Sequence, residues 1–214
     1  MTPVYEDSDV LAVSKPCGQP SIPGRGEAAE GALNVELERR LGRKLYVVHR
    51  LDRDASGLIL FAKTPEAHAR LCEQFEKRAA RKTYLALVEG EVKSGGRVET
   101  PLREFGSGRV GADPAGKPSL TEYSVRARGE GCTLLTVEPK TGRRHQIRVH
   151  LYSLGHPILG DPLYGSPRPV GGAPRLMLHA LALGLAGLPP LICPPGPDFS
   201  DELARRRVEG SNFF

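Results

Sequence analysis

Glycine and proline interrupt this chain so often that none of its elements can be long. Its 214 residues include 25 glycines and 19 prolines, about a fifth of the total. The glycines show no three-residue period, so the composition does not indicate collagen. The apolar stretches between the breaks are short. Val10–Lys15, Leu45–Val48, Leu58–Ala62, Lys82–Glu89 and Leu176–Leu183 read as strands, as do residues 121–127 and 133–138. Helical spacing recurs in three places. Leu33, Leu37 and Leu41 precede Gly42; Ala67, Leu71 and Phe75 follow a Thr64 cap and Pro65; a third helix over about 145–154 stops at Gly155. Strands mixed with a few helices, without regular βαβ alternation, predict an α+β fold rather than a doubly wound one.

Hydrophobic residues make up 39% and charged residues 26%, which suits a globular chain of one domain spanning 1–214. No run approaches the roughly 18 apolar residues that a membrane helix needs. The start, Met1 to Asp7, lacks the apolar core of a secretion signal, so a cytoplasmic protein is expected. Residues 93–119 read as irregular hairpins. The proline-rich end, with Arg205-Arg206-Arg207, reads as solvated surface.

The charge balance suggests a partner. Thirty Lys and Arg oppose 25 Asp and Glu, and 22 of the thirty are arginine. Arginine forks onto phosphate and stacks on flat bases, which makes a nucleic acid plausible. Without tryptophan, stacking falls to Tyr, Phe or Arg. The four cysteines, Cys17, Cys72, Cys132 and Cys193, form no C-x-x-C pair and are expected to be free thiols. His145 and His150 are five apart, whereas paired helical ligands sit three or four apart, so no metal site is expected.

Four segments bear on chemistry. Gly111 to Lys117 nearly spells a phosphate loop, but Pro118 replaces the hydroxyl residue and removes an N–H, so it reads as a turn. His49-Arg50-Leu51-Asp52-Arg53-Asp54-Ala55-Ser56-Gly57 sets Asp52 among cations between two strands. Opposite charge keeps such a carboxylate ionised, as a nucleophile must be; taken alone, the commoner meaning is a surface hairpin with a salt bridge. Lys140 to His150 opens a helix with a cation-dense first turn that suits phosphate, with Gly142 serving a tight turn. A solvated basic face is the commoner meaning there. Arg81-Lys82-Thr83-Tyr84 places an aromatic beside cations on a strand, where core packing is the default.

Together these segments resemble the RluA family of RNA pseudouridine synthases. The resemblance runs in family order through VSKPCG (13–18), HRLDRDASGL (49–58), RKTYLALVEG (81–90), TGRRHQIRVHL (141–151), GHPILGDPLYG (155–165) and PRLMLHA (174–180). It implies a pseudouridine-synthase fold with a mixed, mostly antiparallel sheet, flanking helices and a central RNA-binding cleft. Asp52 matches the essential aspartate, Tyr84 the tyrosine that stacks on the target base, and Arg148 the cation that pairs with the aspartate. Arg50 matches a position that helps hold the RNA open, and His49, Arg53, Arg143 and His145 are expected RNA contacts. Attack by Asp52 at C1′ or C6 and a glycal-type route all remain open. Arg144 stands where the family usually has Thr or Ser. The catalytic pattern begins by Val4, so the small basic domain that many members carry in front is expected to be absent.

The implied reaction needs no cofactor, and the implied partner is structured RNA, ribosomal or a transfer-RNA stem-loop, met by a monomer. The run Ser21-Ile-Pro-Gly-Arg25 and Gly116-Lys-Pro look closest to the subgroup acting on both RNAs. Two rivals make different predictions. A non-catalytic RNA-binding module predicts loss of Asp52 or Tyr84, and a metal-dependent RNA hydrolase predicts clustered carboxylates, of which only Asp52 and Asp54 qualify.

Overall fold

The computed structural model describes residues 3–24, 30–106, 108–165 and 172–209. Arg25 lies outside them. The chain divides into two compact units, Met1–Lys82 with Ala180–Cys193, and Thr83–His179 with Pro194–Phe214.

In the first unit, β1 (Pro3–Glu6), β2 (Val10–Lys15), β3 (Tyr46–Val47) and β4 (Ser56–Ala62) alternate with α1 (Leu33–Leu41) and α2 (Pro65–Glu76). Strand β2 pairs antiparallel with β1 on one side and β4 on the other, and β3 also pairs with β4. All seven residues of β4 are buried, which accounts for the unbroken apolar run Leu58–Ala62. The helix signals act as expected. Gly42 closes α1 in the left-handed region at φ 63°, and Thr64 Oγ1 accepts the Ala67 N–H at 3.2 Å at the start of α2. Ala67 and Leu71 of α2 pack on Val10, Ala12, Leu58 and Leu60. Gly57 has φ +109°, and a Cβ there would sit 2.3 Å from the Ala180 carbonyl oxygen, so only glycine fits. Ala180 belongs to β11 (Leu178–Gly184), which pairs with β12 (Leu191–Ile192).

The second unit contains β5 (Arg81–Glu89) from Thr83 onward, β6 (Gly96–Glu99), β7 (Leu102–Glu104), β8 (Val110–Ala112), β9 (Leu120–Gly129), β10 (Cys132–Pro139), α3 (Gln146–Ser153) and α4 (Pro197–Arg205). β5, β10, β9 and β6 pair antiparallel in that order, and β7 and β8 form a separate hairpin. Leu102 and Val110 of that hairpin pack with Val149 of α3 and with Tyr164, which mounts the hairpin on the helix.

Two expectations need correction. The chain end is not all solvated surface, because α4 buries Phe199 and Leu203. Glu202 is buried too; its Oε1 accepts from Arg206 Nε at 2.8 Å and from Arg205 Nη2 at 2.7 Å. Arg206 is only 5% exposed, and its carbonyl accepts the Glu130 N–H at 2.8 Å. Successive residues of a helical turn point about 100° apart, so three adjacent arginines at the end of α4 do not share one face; here the middle arginine turns in and pairs with a carboxylate four residues earlier. The second correction concerns α3, which is buried from Gln146 to Leu151 rather than presenting a basic face.

Candidate active site

Asp52 sits in the polar loop between β3 and β4, and its loop is clamped through the backbone. Ser21 Oγ accepts the Leu51 N–H at 3.1 Å and donates to the Leu51 carbonyl at 3.0 Å. The Lys15 ammonium, fully buried, donates to the carbonyls of Pro16, Gln19 and Arg53 at 2.8, 2.8 and 2.9 Å. Cys17 Sγ contacts the Asp54 carbonyl at 3.0 Å, and Arg53 Nε donates to the Gly18 carbonyl at 3.1 Å. The Asp52 carbonyl accepts the Ala55 N–H at 3.2 Å, closing the turn. The carbonyls of residues 51 to 54 are therefore all engaged, and the Asp52 side chain between them is half-buried. This is how a reactive group is held on a loop without loop mobility. Arg50 and Arg53 are exposed on the same loop.

His49 faces inward. Its Nε2 accepts the Leu60 N–H at 3.0 Å, and its ring stacks on Phe75 at 5.0 Å. Removal from water, with a smaller effect from the Lys82 charge, pushes its pKa down to about 4. The acceptor role requires the neutral ring with its proton on Nδ1. A folded pKa below the ordinary 6.5 means the stability contribution is complete above pH 6.5 and is lost as pH falls toward 4. The expected loss is about 3 kcal/mol by pH 4. Urea melts between pH 7 and 4 check it: His49→Phe should start less stable, by about 1–3 kcal/mol for the orphaned Leu60 N–H, and show a shallower acid loss.

In the second unit, Tyr84 is half-buried near the start of β5, opposite Val137. The residues after it, Leu85 to Val88, are completely buried, so the tyrosine stands where the strand leaves the core. Arg148 is held by Asp161 through two parallel bonds of 2.8 Å, Nε to Oδ2 and Nη2 to Oδ1, with both side chains almost without exposure. Asp161 Oδ1 also accepts the N–H groups of Leu163 at 2.9 Å and Tyr164 at 3.0 Å. Burial alone would raise the Asp161 carboxyl, but the Arg148 fork and these two N–H groups outweigh it and hold it below the usual range. The Tyr164 ring lies 5.2 Å from the Arg148 guanidinium, and its hydroxyl accepts the Val110 N–H at 2.9 Å.

The turn before α3 is shaped by Gln146. Its Oε1 accepts from Thr141 Oγ1 at 2.6 Å and the Arg143 N–H at 3.0 Å, and its Nε2 donates to the Leu120 carbonyl and Thr121 Oγ1 at 2.9 Å each. The left-handed residue of this turn is His145, at φ 52°, whose Nδ1 lies 2.9 Å from the Tyr164 hydroxyl. Arg143 is half-buried with Nε on the Pro118 carbonyl at 3.3 Å, and Arg144 is exposed.

Sequence reasoning assigned no role to Lys15, Ser21, Gln146 or Asp161. Two of them carried a signal. Lys15 is the one charge in the strand VLAVSK, and Asp161-Pro-Leu-Tyr has the composition of a turn in which a carboxylate caps following N–H groups. Among the described residues no group of His, Cys, Asp and Glu could hold a metal ion, and no helix is long and apolar enough to cross a membrane.

Comparison with known proteins bears on this arrangement. A family model described as RNA pseudouridylate synthase matches residues 9–153. Ribosomal large subunit pseudouridine synthase D of Yersinia pestis is 40% identical over 177 residues, 79% of this chain and 54% of its own. The dual-specificity RNA pseudouridine synthase RluA of Vibrio cholerae is 42% identical over 184 residues, 84% of this chain and 75% of its own. The chain thus spans little more than half the length of the synthase D relative. The solved structure of human RNA pseudouridylate synthase domain containing 4 superposes with a TM-score of 0.83 at 26% identity, covering 98% of this chain and 94% of that one.

Proposed function

Since this chain belongs to the RNA pseudouridylate synthase family, we propose that it isomerises uridine to pseudouridine in structured RNA, ribosomal or a transfer-RNA stem-loop. The observation that carries this reading is the Asp52 loop, whose backbone carbonyls are clamped by Lys15, Ser21 and Cys17 so that Asp52 is held in a fixed place. The resemblance to a synthase named for the ribosomal large subunit favours ribosomal RNA.

In the reaction the N1–C1′ bond breaks, the base turns, and a C5–C1′ bond forms. The C5 proton leaves to solvent and N1 gains one, so the sum is an isomerisation. The target base must leave its stack at a cost of a few kcal/mol. Stacking on the Tyr84 ring, worth about 1–3 kcal/mol for such contacts, offsets that cost. Arg50 and Arg53, exposed on the Asp52 loop, meet RNA, as do Arg143 and His145 before α3. Asp52 initiates the chemistry, and Arg148, presented by Asp161, is the cation that the resemblance assigns to the aspartate. His49, expected as an RNA contact, is turned inward onto the Leu60 N–H and Phe75 instead, and in this reading it supports the segment leading into the Asp52 loop. We take the acting form to be a cytoplasmic monomer.

Transcripts carrying tritium at uridine C5 test the reading. Ribosomal and transfer RNA are incubated separately with the protein in EDTA. Tritium release to water from an intact chain is expected. Tight binding without release from either RNA, or from ribosomal particles, would replace the enzyme by a binding module of the same fold.

A further inference from the structure

The turn that nearly spells a phosphate loop and the loop before α3 line the same groove in the second unit. Its volume is about 470 Å³. Arg103 of β7, Lys117, Arg143 and Arg144 supply four cations to its lining, against one carboxylate, Glu104. The ion pairs within it are long and exposed, Arg103 to Asp113 at 3.3 Å and Arg144 to Glu104 at 3.4 Å. Charge-assisted bonds of full strength are about 2.7–2.9 Å, and exposed pairs contribute about 0–1 kcal/mol, so these cations exchange partners at little cost. Lys117 is exposed and has no ion pair among the described residues. The walls are held from behind: Leu102 and Val110 pack on Val149 of α3, and Gln146 accepts the Arg143 N–H of the loop.

The backbone decides which phosphate chemistry fits. A phosphate loop offers free amides, but here they are used: Ala115 N–H goes to Asp113 Oδ1 at 2.8 Å, Gly116 N–H to the Asp113 carbonyl at 2.8 Å, and Lys117 N–H to the Leu102 carbonyl at 2.8 Å. Gly116 is needed for packing, since a Cβ would lie 2.6 Å from the Leu102 carbonyl carbon. A compact nucleotide polyphosphate finds no amide cradle. Side-chain cations distributed along a groove instead match phosphates distributed along a strand.

We propose that this groove binds the sugar–phosphate backbone of an RNA strand, with Arg103 and Lys117 as phosphate contacts. Naming RNA as the polyanion rests on the function proposed above. The test measures RNA affinity of the parent, of Arg103→Gln/Lys117→Gln, and of Arg39→Gln, an exposed cation of α1, from 50 to 300 mM salt. The double variant should bind about tenfold more weakly at physiological salt. Its plot of log K against log salt should be shallower by about 1.4–1.8, for two contacts at 0.7–0.9 each. Arg39→Gln should match the parent, and circular dichroism melts should coincide for all three.

Parent-like affinity and slope in the double variant would overturn the groove, and tritium release by the parent would then leave the enzyme reading standing. Weakened binding by the double variant, with no tritium release by the parent, would support the groove while the enzyme reading falls. ATP or inorganic phosphate displacing RNA at micromolar concentration from the parent would overturn the strand-binding proposal in favour of a small-anion site. A parent that binds no RNA would overturn both.

Discussion

Asp52→Asn is expected to release no measurable tritium from C5-labelled RNA, with a rate at least about 10⁴-fold below the parent, the scale seen when a nucleophile is removed. Binding should stay within about twofold. Asparagine keeps the size of aspartate, and the bonds from Lys15, Ser21 and Cys17 to the backbone carbonyls of the loop stay in place in the variant. Losing a negative charge also removes repulsion from phosphates, so any change in affinity should be toward tighter binding. Filter binding and single-turnover tritium release on the same preparation separate the two quantities. Retained turnover would remove Asp52 from the mechanism, and lost binding with an unchanged melting curve would make it an RNA contact.

The second large effect is expected at Asp161. Asp161→Ala leaves the Arg148 guanidinium buried without the carboxylate that takes two of its N–H groups. Breaking a buried pair from one side costs about 3–5 kcal/mol. For a chain of this size that lowers Tm by roughly 10 °C or more. It also frees the Leu163 and Tyr164 N–H groups, which share Asp161 Oδ1. The double variant Arg148→Met/Asp161→Leu removes both charges and should recover much of the stability, because an apolar pair of similar size replaces a buried ion pair at little cost. Tritium release separates structure from function. If Arg148 serves only the fold, the recovered double variant should recover turnover; the role proposed for Arg148 predicts that it stays inactive. Since the folded Asp161 carboxyl lies below its ordinary 3.8, its contribution is complete above that pH and is lost on further acidification.

Local signals located much of the framework. The four-residue spacing of Leu33 and Leu37 with Gly42 behind them, and the Thr64-Pro65 start of α2, placed two helices within a residue or two of their observed ends. The near-phosphate loop proved a turn, as Pro118 indicated, and its amides are spent on its own carbonyls and carboxylate. Such features are local because cap and turn partners lie two to four residues apart. The buried α3 was less legible. Its arginine and histidine suggested a wet face, but Arg148 is neutralised by Asp161, and His150 is satisfied by Thr121 Oγ1 at 2.9 Å and the Thr100 carbonyl at 3.1 Å.

By itself, the order of short apolar runs, the turn residues between them and the motif around Asp52 determined the α+β class, the family and the candidate nucleophile. Only the tertiary structure decided how those residues are held. Lys15 reaches the Arg53 carbonyl across 38 positions, Ser21 meets Leu51 across 30, and Arg148 meets Asp161 across 13. Nothing in local propensity encodes such pairs. A buried charge or carbonyl must find a partner, but which partner is set by the packing that brings distant segments together.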